Sequence, residues 1–364
     1  MSSPPARWRA CLLVLSFLAA CAAQAVTQPA STQPTDRPRV RLVATGGTIS
    51  NRSGGRLTAQ ELVASIPGLD RYTRAEFEQF VNLASSELTL EQWLQLARRI
   101  NDIFNKDAEL AGVVVTSGTD TLEEIAYFLH LTVRHDRPVV ITGSMRNPNA
   151  VGYEGPANLL AAFRTAAESA SRGRGALVVL NDEINSARDV TKTDALRLQT
   201  FQTRVFGALG TVDNDRVAYS RDMTRRHTAK SEFDVSTIEA LPRVDVIMTY
   251  QDAPGDLIKA AVDRGARGIV IASAGAGATS GTQNDGIEYA LSKKVFIVTS
   301  TRTGSGRIAP RRGFGPPSAT ADDGGRQFRI AADDLAPVKA RILLMLALSK
   351  TQDPVEVQRI FTEY

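Results

Sequence analysis

The sequence predicts an α/β protein of two domains, with a mostly parallel sheet in a larger N-terminal domain and a smaller C-terminal α/β domain. Three observations carry this expectation. Short apolar runs rich in β-branched residues, at 40–45, 79–84, 112–116, 138–142 and 176–180, alternate with helix-period segments, which is the mark of βαβ units. Residues 222–242, among them Arg225, Arg226, His227, Lys230 and Ser231, are polar and lack a sustained period, as an interdomain linker would. A second alternation follows, with strands expected at 244–249, 268–272 and 295–299. The domains are therefore placed at 39–221 and 243–364, and 364 residues suffice for two cores.

Taken in order, Arg7 and Arg9 precede an apolar run, Cys11 to Ala20, that is too short to span a bilayer, so residues 1–21 read as an export leader. Leu18-Ala19-Ala20-Cys21 looks like a lipobox, in which Cys21 would be lipidated and tether the protein to a membrane; ordinary cleavage after Ala23-Gln24-Ala25 is the alternative. Either route places the mature protein outside the cytoplasm, in the periplasm or on an outer membrane. Residues 22–38, rich in Gln, Thr, Pro and Ala, read as a disordered tether.

Val40-Arg41-Leu42-Val43-Ala44 is a buried-strand pattern that runs into Thr45-Gly46-Gly47-Thr48. In open α/β sheets ligands bind beyond the carboxyl ends of strands, and the glycines leave the Thr48 hydroxyl unshielded there. The helix expected at 90–104 carries Trp93, Leu94, Ala97, Ile100 and Phe104 at helical spacing, which serves packing and implies no cofactor. Gly112 to Val115 is a second strand, opening into Thr116-Ser117-Gly118-Thr119-Asp120-Thr121. Thr121 and Glu124 fit a capping box for the helix that follows. That cap leaves Thr119 and Asp120 over. In the second domain Pro337 opens a helix with Val338, Ile342, Met345 and Leu346 on one face, and Asp353-Pro354 with Glu356 signs the last helix.

Composition narrows the chemistry. A formal net charge of +4, with no basic block interleaved with aromatics, gives no support to a nucleic-acid partner. The only cysteines are Cys11 and Cys21, so no disulfide or thiolate metal site can form in the folded body. The three histidines, His130, His135 and His227, are scattered in sequence, which argues against a metal site and a Ser-His-Asp mechanism. The Gly46-Gly47 turn does not follow the G-x-G-x-x-G spacing of a dinucleotide site.

The stretches ATGGTI and SGTDTLEE resemble the bacterial asparaginase and glutaminase-asparaginase family. Further matches follow in order: Ser85 in Asn82-Leu83-Ala84-Ser85-Ser86-Glu87, then Gly143-Ser144-Met145-Arg146, then Arg188-Asp189-Val190-Thr191-Lys192-Thr193. The resemblance runs from about Val40 to Tyr364. It implies hydrolysis of L-asparagine to L-aspartate and ammonia, with Thr48 as nucleophile and a β-aspartyl ester as intermediate. It also implies that Thr119 is the second hydroxyl, working with Lys192 and Asp120, and that Asp120, Ser85, Ser86 and Ser144 hold the substrate. No cofactor or metal is implied, and a homotetramer with sites between subunits is.

Lysine acts as a base only where its environment favours the neutral amine, and without the resemblance Lys192 reads as a solvated surface lysine. The chain departs from the family in three places. Residues 50–57 are short and lack the tyrosine that many members carry in a mobile loop there, which leaves Tyr72 and Tyr153 as candidates to approach Thr48. Ser86 stands where Gln or Glu is usual, and Ala278 where an asparagine reaches across a subunit contact. The competing readings are a glutaminase-asparaginase acting also on L-glutamine, and an exported lipoprotein that binds an amino acid without turning it over.

Overall fold

The computed structural model describes residues 37–310 and 325–364. The leader expected at 1–21, with Cys21, and nearly all of the tether lie outside them.

The first part of the chain runs β1 (Arg39–Gly46), a hairpin of β2 (Asn51–Arg52) and β3 (Gly55–Arg56), α1 (Ala59–Ala64), β4 (Arg74–Leu83), α2 (Leu90–Lys106), β5 (Leu110–Thr116), α3 (Leu122–Thr132), β6 (Val139–Thr142), α4 (Gly155–Ala167) and β7 (Ala176–Leu180). Then come β8 (Glu183–Ser186), a second hairpin of β9 (Thr191–Lys192) and β10 (Phe201–Gln202), β11 (Gly210–Val212) and β12 (Val217–Tyr219). The main sheet has the order β12-β11-β8-β7-β6-β5-β1-β4, parallel from β4 through β7 and antiparallel beyond. Winding reverses at β1, because β4 is laid on one side of it and β5 on the other. The crevice at the carboxyl ends of β1 and β5 is thus a topological switch point, where α/β sheets bind ligands.

Both faces of this sheet are covered, so its central strands are apolar throughout rather than alternating. Val113 and Val115 pack into a core with α2 and α3, while Val114 joins Leu42 and the α4 residues Leu159 and Phe163 on the other face. Strand β4 starts five residues before the expected 79. Its first half alternates Glu76 and Glu78 with partly exposed neighbours, and these acids pair with Arg39, Arg41 and Arg99 along the sheet edge, which hides the apolar signal.

The second part holds β13 (Val244–Met248), α5 (Asp256–Asp263), β14 (Gly268–Ser273), α6 (Gln283–Ser292), β15 (Phe296–Thr301), β16 (Arg329–Ala331), α7 (Pro337–Lys350) and α8 (Pro354–Glu363), with β13 to β16 forming a parallel sheet in chain order. Helix α7 is not one-faced as its sequence pattern suggests. Residues Ile342 to Leu348 are all buried, because the helix packs on α3 on one side and on β13 and β14 on the other. The segment expected to be a linker is also pinned down. Phe233 and Val235 are buried, and Arg98 donates to the Val235 carbonyl at 2.9 Å.

Two of the histidines meet, contrary to their scatter in sequence. The His130 and His227 rings lie 5.1 Å apart and both are buried; His135 packs separately on Phe104. No cluster of three metal-ligating groups occurs among the described residues. Burial, and then the neighbouring His227, hold His130 well below its ordinary pKa; burial and Lys230 push His227 down to about 4. Above pH 6.5 neither the folded nor the unfolded chain protonates these rings. Below it the unfolded chain takes up protons that the folded one refuses, so stability falls as pH drops from about 6.5 to about 4. For His227 the loss is roughly 3 kcal/mol across that window. Urea midpoints at pH 7 and pH 4.5 are expected to differ accordingly, and His227→Gln to flatten the difference. An unchanged slope in that variant would discard this origin of acid sensitivity.

Candidate active site

Four adjacent strand ends are drawn together where the chain carries no side chain. A Cβ on Gly46 would fall 2.4 Å from the Leu83 carbonyl oxygen, and one on Gly47 2.3 Å from the Gly118 nitrogen. Gly118 likewise closes on Ser85, and Gly143 on the Ser117 carbonyl. Both Gly46 and Gly47 have positive φ, 106° and 93°, which glycine alone adopts freely. The Gly47 N–H donates to Leu83 O at 2.8 Å, and the Thr45 hydroxyl to Thr116 O at 2.6 Å. Residues 48 and 119 each follow one of two closely packed glycines, so the Thr48 and Thr119 backbones lie side by side at the ends of neighbouring strands.

Thr48 is half-buried, and no group among the described residues bonds its hydroxyl. Thr119 is only 5% exposed, and its Oγ1 accepts from Lys192 Nζ at 3.0 Å. The same ammonium donates to Asp120 Oδ1 at 2.8 Å, and its side chain is 16% exposed against 76% for Asp120. Lys192 is therefore no free surface lysine. It is the last residue of β9, where Lys192 pairs with Phe201 on β10.

The serines fare differently. Ser85 is buried at the head of a 3₁₀ turn, Ser85–Glu87, directly beneath Gly118. Ser86 is exposed, and Glu87 turns back to accept from the Ala84 N–H at 3.0 Å. The Ser144 side chain is buried, and its hydroxyl donates to Arg146 O at 2.6 Å.

The short segment after Thr48 folds into the β2–β3 hairpin, and it brings Arg56 back to the Gly47 backbone. The Arg56 guanidinium donates to the Gly47 carbonyl at 3.3 Å. Of the two tyrosines, Tyr153 donates from its hydroxyl to Ile49 O at 2.7 Å, and burial raises its pKa. Tyr72 lies before the first residue of β4, at the opposite end of the sheet, under the Arg164 guanidinium. It is too remote to serve Thr48.

The expected capping box at α3 does not form. Thr121 occupies the N-cap position with φ −125° and ψ 18°, and its side chain makes no cap hydrogen bond. Glu124 is drawn instead toward Arg341 at 3.9 Å, and burial raises its pKa. The neighbouring acid in the first turn of α3, Glu123, reaches the β9 strand: its Oε1 accepts from the Thr191 hydroxyl at 3.0 Å and the Lys192 N–H at 3.2 Å.

A model described as asparaginase, N-terminal, matches residues 39–225, and one described as glutaminase/asparaginase C-terminal domain matches residues 243–361. The chain belongs to the asparaginase family. L-asparaginase 2 of Bacillus subtilis (strain 168) is 40% identical over 351 residues, which cover 94% of this chain and 90% of that protein. Glutaminase-asparaginase of Pseudomonas fluorescens biotype A is 36% identical over 97% of this chain and 96% of its own. A solved structure titled probable cytoplasmic L-asparaginase from Campylobacter jejuni matches with a TM-score of 0.83 at 36% identity, over 90% of this chain and 100% of that one.

Within this asparaginase fold neither Arg56 nor Glu123 carries a sequence signal of its own. Arg56 was masked by the glycine-rich turn before it, and Glu123 by the capping pattern that favoured its neighbour.

Proposed function

We propose that this chain hydrolyses L-asparagine to L-aspartate and ammonia, with Thr48 as the nucleophile. The observation that supports it most is the Lys192 ammonium on both Thr119 and Asp120, beside a second threonine left unengaged. Thr48 Oγ attacks the side-chain amide carbon, the C–N bond breaks, and the proton given up by Thr48 leaves on ammonia. Water then cleaves the β-aspartyl ester and restores the hydroxyl. Thr119, joined to the Lys192 amine, relays protons on the far side of the amide. Asp120 faces the substrate ammonium; Ser85 and the backbone around it take the α-carboxylate, and the Ser144 turn closes the pocket. Ser86, exposed, has the weakest claim to contact.

The site is proposed to work in a homotetramer, on the family resemblance alone. An exported location, with Cys21 as a lipid anchor, is proposed on residues outside the described structure. A second reading, turnover of L-glutamine as well, draws support from the Pseudomonas relative, named glutaminase-asparaginase. The two substrates differ by one methylene, worth about 1–3 kcal/mol in a pocket. Initial rates on asparagine, glutamine and a β-aspartyl dipeptide, measured side by side, are expected to rank asparagine first. Comparable rates on glutamine would favour the second reading, and no turnover of any of the three would overturn both.

A further inference from the structure

The amine that serves Thr119 is itself held in place, and part of the grip comes from the second sheet's side of the molecule. Lys339, in the first turn of α7, is 1% exposed. Its ammonium donates to the Arg188 carbonyl at 2.9 Å and to the Val190 carbonyl, and lies 3.8 Å from Glu123 Oε2. That carboxylate oxygen is buried without a hydrogen bond. Glu123 Oε1 meanwhile holds the Thr191 hydroxyl and the Lys192 backbone N–H. The strand that delivers Lys192 is thus fixed by Lys339 at residues 188 and 190 and by Glu123 at residues 191 and 192.

Glu123 also sits three residues after Asp120, in the first turn of α3, the helix into which the loop carrying Thr119 runs. Tying β9 to that turn sets how far the Lys192 ammonium stands from Thr119 Oγ1. Surface lysines or solvent would not supply this grip. Buried ammonium groups are costly unless paired, and burial pulls the Lys339 pKa down while Glu123 and Asp189 pull it up.

We propose that Glu123 is a positioning residue for Lys192, with the buried Lys339 of α7 as its counter-ion, so that the amine meets Thr119 only while α7 is docked. The inference rests on Lys192 being the amine that serves Thr119, as argued above. A misplacement of about 1 Å in such a constellation can cost ~100-fold in rate.

The test is steady-state kinetics on asparagine with the full chain, per folded molecule, for Glu123→Ala, Glu123→Gln, Lys339→Met and Lys192→Met, each checked by urea unfolding. Glu123→Ala and Lys339→Met are expected to lower kcat by about 10- to 100-fold with KM within about twofold of wild type. Glu123→Gln keeps an acceptor for residues 191 and 192 and is expected to recover most of the loss, which a merely structural role would not single out. Should Lys339→Met fail to fold, the two Glu123 variants decide. A folded Glu123→Ala with kcat within twofold of wild type overturns the proposal, as does an equal loss in Ala and Gln variants. If Lys192→Met is inactive in that case, only the positioning role is lost. If Lys192→Met itself turns over normally, the assignment of Lys192 falls, and this inference with it.

Discussion

Thr48→Ala is expected to stop ammonia release from asparagine, with kcat falling on the order of 10,000-fold or more, as removal of a covalent nucleophile does. The physical case lies in where Thr48 stands. It follows two glycines held at positive φ, beyond the end of β1, and its hydroxyl is committed to no group among the described residues. The fold therefore loses little with it: a half-buried, unbonded hydroxyl contributes within about 0.5 kcal/mol of stability. Activity and stability should separate, with urea midpoints of variant and wild type nearly superimposed. Thr48→Ser, which keeps the oxygen, should retain measurable turnover. The binding-protein alternative makes the opposite forecast, since it has no turnover for Thr48→Ala to remove. Ammonia release within tenfold of wild type in a folded Thr48→Ala would end the nucleophile assignment.

Lys192→Met is expected to lower kcat by roughly 100- to 10,000-fold, the range over which a positioned acid–base group acts. Its ammonium bridges Thr119 Oγ1 and Asp120 Oδ1. Asp120 is 76% exposed, so losing its partner leaves a solvated carboxylate and costs the fold little. Lys192→Arg separates two explanations of the loss. A guanidinium keeps the positive charge and cannot give up its proton in this range, so an arginine variant that folds, keeps the wild-type KM and is inactive points to proton transfer as the lysine's contribution. Activity restored by arginine would instead show that charge alone suffices.

Much of the site was legible because local patterns carry it. A β-branched run ending in Gly46-Gly47, and another ending in Thr116 to Thr121, mark strand ends wherever the strands lie in the sheet. Lys192 was not legible that way. Its partner Thr119 is 73 residues distant, and only the family resemblance joined them. Lys339 was hidden for a related reason. In sequence α7 has one apolar face and a lysine outside it, and only enclosure between α3 and the second sheet buries the remainder. The capping pattern misled because it is local: Thr121 and Glu124 have the right spacing, yet β9 and α7 draw the two acids of that turn elsewhere. The linker, polar on average, buries Phe233 and Val235 by contacts its composition does not reveal.

The meeting of Gly47 with Gly118 limits what this crevice can become. The Gly118 backbone occupies the space that a first side-chain carbon on Gly47 would need, with its nitrogen at 2.3 Å. One added methyl at residue 47 would act as a wedge between the two threonine-bearing loops, damaging the reaction without deleting any reactive atom. A deep mutational map of this protein would then show its sharpest intolerance where there is nothing to remove, and broadening the enzyme toward bulkier amides would have to begin elsewhere along the rim.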